Sequence, residues 1–344
     1  MPLSSNNLLQ PFRAGLVTLA ILALSGCSSN PVDAPPPTIP AARPADSPPT
    51  VGELPGTVRP LGPGAVAALF DRGTAALVVL GPGPEGQSAL TVFSAAPQPR
   101  TLLTPAPATA MTGDADGGLY LATRGGYFTV DLRTAKVDRV DVEGQTGTDF
   151  TAIARRGDGR LALGTADGAV LTLNSETTVG ARLPIFARVD ALVAAGDITV
   201  VLDRGQTSVT AVDPQGTRAA QALRAGEGAT TISADPAGRV LVADTRGGAL
   251  LVFGTDPLIM RQRYPVTGAP YGLAGSAELT WVSQTATNTV IGYDLATGIP
   301  VEKVRHRTVR QPDHLAFDEA SGTLYVVSGS GAGVQVIPDA GGTR

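Results

Sequence analysis

The chain has 344 residues and a formal net charge of −4, with 43% of residues hydrophobic and 16% charged, the balance of a folded protein. Mild acidity excludes non-specific nucleic-acid binding, which needs a basic footprint to displace counterions. With one Cys and two His, the sequence has no internal disulfide, no Cys/His zinc cluster and no Cys-x-x-Cys redox centre.

Residues 1–26 read as a secretory signal: a polar start, one basic residue at Arg13, then an eleven-residue apolar run from Ala14 to Leu24. That run is too short to span a bilayer. It ends in Leu24-Ser25-Gly26-Cys27, a lipobox, so Cys27 is expected to take a diacylglyceryl group and become the first mature residue. The sequence thus predicts a lipoprotein held on the outer side of the cell membrane, with the lipid anchor as its membrane contact. Residues 27–55 follow as the lipidated Cys and a Pro-rich tether, with eight Pro among residues 31–49. No helix or sheet persists in such a composition, and the expectation is a disordered, semi-extended spacer that lifts the next domain off the membrane.

From there the chain repeats itself. An apolar anchor recurs at Leu69, Met111, Ile153, Leu192, Ile232, Leu273 and Leu315, at spacings of 39 to 42 residues. A second recurs at Leu77, Leu119, Leu161, Ile198, Val240, Leu279 and Leu324, each opening a short β-type run after turn residues such as Gly157-Asp158-Gly159. Third runs follow, among them Tyr127 to Leu132 and Leu250 to Phe253, and no 3.6-residue amphipathic period interrupts them. Strand, turn, strand, Gly-rich turn, strand and a less apolar outer strand make one blade, so residues 56–338 are predicted to form an all-β, seven-bladed β-propeller, with 339–344 as a tail. The last repeat lacks its outer strand, and residues Gly56 to Leu61 are the expected donor that closes the ring. Just before each first anchor stand Ala68, Ala110, Ala152, Ala191, Thr231, Gly272 and His314, mostly small residues that suit inner strands crowding round an axis.

Trp281-Val282-Ser283-Gln284, NTVIGYDLATG at 288–298 and TLYVVSGSGAGVQVI at 323–337 resemble the repeat of the bacterial propeller family named for its Tyr-Val-Thr-Asn motif, with Trp, Ser and Gln replacing Tyr, Thr and Asn. Over nearly the whole mature chain, DFTAIARRGDG at 149–159, VVLDRGQTSVT at 200–210, RVLVADTRGG at 239–248 and GIPVEKVR at 298–305 resemble the LppL-type family of mycobacterial conserved lipoproteins. The resemblance implies a cell-envelope propeller lipoprotein and carries over no catalytic residue.

Trp281 is the sole Trp, so the Trp-rich docking pattern of quinone propellers is missing, as are the G-x-S-x-G and H-E-x-x-H motifs. No cofactor is expected. Asp149, Asp190 and Asp313, with His314, precede inner strands and form a candidate site at one channel mouth, where hard oxygen ligands would suit a divalent cation. The same Asp positions serve as turn caps. Lys303, Arg305, Arg307 and Arg310 form the one dense basic run, suited to anionic headgroups or envelope polysaccharide, or to guarding an outer edge. Asp114-Ala115-Asp116-Gly117 resembles the start of a calcium loop, but position twelve of that register is Gly125, which makes it a turn. The favoured reading is a non-enzymatic binding or scaffold module for an envelope protein or glycan. The alternative is a metal-dependent hydrolase or lactonase at the channel mouth.

Overall fold

The computed structural model describes residues 36–342. Seven four-stranded antiparallel sheets follow one another in a ring, and the protein is a seven-bladed β-propeller. The inner strands are Ala67–Asp71, Ala110–Gly113, Phe150–Arg155, Ala191–Ala195, Ala229–Ala234, Pro270–Gly275 and Pro312–Asp318 in blades 1 to 7. Each carries the apolar anchor expected of it. The second strands are buried along most of their length, and Val240–Asp244 in blade 5 along all of it, because a neighbouring blade covers each face. Outer strands such as Leu258–Pro265 mostly alternate half-buried and exposed side chains, having water on one side.

The core lies between blades. Val200, Leu202 and Val209 of blade 4 pack against Ile232, Val242, Leu251 and Phe253 of blade 5 in one cluster. Each such side chain contributes about 1.5–3 kcal/mol relative to exposure. A buried polar side chain at the end of a second strand pins the loop that enters the same blade. Asp203 Oδ2 accepts the Ala187 amide at 2.9 Å, Asp244 Oδ1 accepts that of Gly228 at 2.8 Å, and Ser328 Oγ donates to the Arg310 carbonyl at 2.6 Å. Gly226 in one of these loops has a φ of +77°, and a Cβ there would run into the Asp244 carboxylate.

The ring closes as the count of strands required. Thr57–Arg59 pairs antiparallel with Val334–Ile337, Thr57 opposite Val336 and Arg59 opposite Val334, and supplies the outer strand of blade 7. Fully buried Gln335 bonds the Val309 amide and the Pro55 carbonyl, both at 2.9 Å. Arg59 donates to the Ser94 and Ala96 carbonyls of blade 1, each at 2.9 Å, which ties the closing strand to the first blade as well.

The Pro-rich stretch is extended, as its composition dictates, yet it is not free. Its described part is seated on the loops that enter the blades and the loops between second and third strands, a face hereafter called the strap face. Ile39 donates its amide to the Gly205 carbonyl in blade 4 at 2.8 Å. Arg204 and Arg246 donate to the carbonyls of Ala42 and Pro40. Ala45 donates to Thr285 Oγ1 at 3.0 Å, Asn288 bonds the Pro48 carbonyl at 2.8 Å, and Gln311 takes the Ser47 amide at 3.1 Å while donating to the Ala45 carbonyl. Residues 38–48 therefore cross blades 4 to 7, with Ala42 and Ser47 buried beneath them. The contacts are made to main chain and small side chains, which is why composition gave no sign of them.

Candidate functional site

The inner strands enclose a central channel of about 450 Å³. Ala68, Ala110, Ala152, Ala191, Thr231 and His314 line it, so the small-residue column is the channel wall. At the strap-face end stand Asp190, Tyr271 and Asp313. Asp190 accepts the Arg204 amide at 2.7 Å and pairs with Arg188 at 3.2 Å. Asp313 accepts from Gln311 Nε2 at 3.0 Å, and burial pushes its carboxyl above the usual carboxylate range against that bond. His314 Nε2 bonds the Ala65 carbonyl at 3.0 Å, and burial lowers its imidazole below the ordinary value despite that bond. The carbonyl fixes Nε2 as the protonated nitrogen of the neutral ring. Burial likewise raises the Tyr271 phenol.

The structure thus brings Asp190, Asp313 and His314 to one channel, while Asp149 lies elsewhere. Its carboxylate is exposed and pairs with Arg124 at 3.3 Å. Among the described residues no three His, Cys, Asp or Glu side chains stand close enough to hold one metal ion. Arg204 and Gln311, which orient Asp190 and Asp313, are the same residues that hold the strap. Sequence reading missed them because they lie in polar loops without a repeat signature.

Half of the basic run is ion-paired and the other half lies against the strap. Lys303 pairs with Asp294 at 3.4 Å and Arg305 with Glu302 at 2.8 Å, Arg310 donates to the Ser47 carbonyl at 3.1 Å, and the Arg307 guanidinium packs on Gly52. Asp114 Oδ1 accepts the amides of Asp116 and Gly118 at 2.8 and 2.9 Å, the bonds of a turn. Cys27 and the signal lie outside the described residues.

On the opposite loop face a cleft of about 620 Å³ opens between blades 2 and 3. Leu119, Tyr120, Tyr127 and Leu161 form its floor, and its border carries Asp131, Asp138, Asp158 and Glu176 together with Lys136 and Arg160, which pair with Asp138 at 2.8 Å and Asp158 at 2.7 Å. The Tyr127 hydroxyl donates to the Glu176 carbonyl at 3.0 Å, and burial, with Glu176 nearby, pushes the phenol up to about 12. The two Tyr rings lie 6.3 Å apart and tilted by 52°, leaving part of Tyr120 open to the cleft. No sequence motif marks this cleft, because its residues come from two repeats.

No family model matches the chain, and no curated protein matches it. The LppL-type kinship therefore gains no support from those comparisons. Among solved structures, it is similar to a chain of a mitotic checkpoint complex, at 11% identity and a TM-score of 0.68 over 86% of this chain and 98% of that one. It is also similar to the hydrazine synthase of Kuenenia stuttgartiensis, at 13% and 0.64 over 83% and 99%. A streptogramin B lyase matches at 9% and 0.64 over 83% and 96%. At such identities the likeness is one of fold, and that fold serves both an assembly and enzymes.

Proposed function

We propose that the chain is a lipid-anchored envelope protein of the LppL type, with Cys27 acylated and the propeller on the outer side of the cell membrane as a non-enzymatic binding or scaffold module. The carrying observation is the division of labour between the two loop faces. Strap-face polar groups are engaged within the fold, as the Asp190, Asp313 and His314 bonds illustrate. The other face holds the open cleft between blades 2 and 3. Its Tyr120 surface and its border of paired and unpaired charges suit a protein or glycan partner with polar groups over an apolar patch. Membership of a chain of this fold in a checkpoint complex supports a scaffold role by analogy only.

Crosslinking in intact cells, followed by mass spectrometry of what copurifies with the acylated protein, tests this reading, with Cys27→Ala as the unanchored control. Anchor-dependent partners lost on Glu176→Lys and Tyr120→Ala support it; a monomer without partners refutes it.

The second reading, a metal-dependent hydrolase or lactonase, has Asp190, Asp313 and His314 lining one channel but not grouped closely enough to hold one ion in this arrangement. It predicts stoichiometric divalent metal in purified protein, lost with Asp313→Asn.

A further inference from the structure

The strap fixes where the N-terminal segment joins the propeller. A strand read as the ring's closing donor would by itself place that junction at blade 7. Instead, among the described residues, the first contacts are made at blade 4, where the Thr38 methyl packs on Gly205 and Ile39 bonds its carbonyl. It then crosses the strap face before Gly52 and Leu54 reach the seam of blades 6 and 7. Ten residues separate Cys27 from Thr38, a reach of at most about 40 Å at ~3.3–3.6 Å per residue. The long spacer expected from composition is thus shortened by the whole seated stretch.

Charge is divided between the faces in the same sense. Outside the strands and among the described residues, the strap and the strap-face loops together carry eight acidic and six basic residues, whereas the loops and tail of the opposite face carry eleven acidic and six basic. An anionic lipid surface repels the second face more than the first once either comes within a Debye length of about 8 Å.

We propose that the strap orients the propeller on its membrane, holding the strap face and its channel mouth toward the lipid and turning the acidic face, with the blade 2–3 cleft, outward to the partner. This rests on the acylated Cys27 of the preceding reading. Two features meet in it: the start of the described strap on the strap face at blade 4, so that the ten-residue link to Cys27 pulls on that face, and the electrostatic asymmetry. The partner face is then the one carrying Asp158, Glu176 and Asp197, and its chemistry favours a basic or hydroxyl-rich surface.

The test uses the full acylated chain in vesicles of phosphatidylcholine and phosphatidylglycerol. One introduced thiol per variant, at exposed Thr146→Cys on the strap face or exposed Gln215→Cys on the other, carries a fluorophore. A lipid with a nitroxide headgroup quenches whichever label lies near the bilayer. The expected result is at least threefold stronger quenching at position 146 than at 215. That ratio should fall toward one in Arg204→Ala/Gln311→Ala, which releases the strap while the protein stays vesicle-bound. Equal quenching, or stronger quenching at 215, overturns the orientation. Failure of the underlying reading looks different: without acylation the chain does not float with vesicles and Cys27 titrates as a second free thiol, and the orientation then falls with its anchor.

Discussion

The two loop faces of the ring are built from the same seven repeats and finished differently. On the strap face, buried Asp203, Asp244, Gln284 and Ser328 knit loops together, and an extended segment bonded through its main chain lies over them. On the opposite face, turns are held by carboxylates that range from buried Asp71, Asp213 and Asp235 to the more exposed Asp114 and Asp158, no strap lies over them, and a cleft stays open. A repeat thus settles the blades but leaves each face to be specialised by its loops, where binding surfaces are usually made.

Substitution can break that contrast, and the largest effect belongs to a buried pin. Asp244→Ala leaves the amides of Glu227, Gly228 and Gly247 without their acceptor and is expected to cost about 2–4 kcal/mol, against about 1 kcal/mol or less for Asp114→Ala in the opposite face. Denaturant unfolding of the two variants measures the difference, and equal losses would contradict the ranking by burial and by number of amides held. Next is the strap. Ser47→Ala/Gln311→Ala removes bonds at 2.5–3.1 Å and should lower stability by about 1–2 kcal/mol while making residues 36–50 a site of early proteolysis.

A smaller effect comes from the channel mouth and depends on pH. Burial holds the folded-state pKa of His314 below its unfolded value, so the unfolded chain binds more protons below about pH 6.5. The stability that the neutral ring supports is present above that pH and is lost as the pH falls toward the lowered folded value. His314→Gln keeps the bond to the Ala65 carbonyl, and its thermal midpoint should drop less than that of the parent between pH 7.5 and 5.5. Asp313 has the opposite sign, its raised folded-state pKa making its contribution full below about pH 3.8 and weaker as the pH rises. Asp313→Asn should therefore match or exceed the parent at pH 7. The smallest effect is expected at Arg124, whose pair with Asp149 is more than half exposed on both sides: Arg124→Ala should change stability by less than about 0.5 kcal/mol.

What could be read in advance follows from the same physics. Anchors such as Leu161 and Val240 belong to strands buried on both faces, so the blades print continuous apolar runs into the sequence. The closing strand was legible because a ring with an unpaired edge is incomplete. The channel wall was legible in its small residues, and with it the places of Asp190, Asp313 and His314. Asp149 could not be placed, because nothing in its spacing reveals that Arg124 meets it in a loop. Nor does spacing show that Asp294, on the neighbouring strand, neutralises Lys303. The strap escaped for a deeper reason: a segment held by its carbonyls and amides, with Ala42 and Ser47 as its buried side chains, has the composition of a disordered tether.

Amide hydrogen exchange of the full chain tests the seating of that segment most directly. The account predicts slowed exchange at Ile39, Ala45 and Ser47, whose amides bond Gly205, Thr285 and Gln311, with protection at Ala45 and Ser47 lost in Gln311→Ala. Exchange at the rate of an unstructured peptide throughout residues 38–48 of the parent would contradict it, and with it the assignment of one face to the strap and the other to a partner.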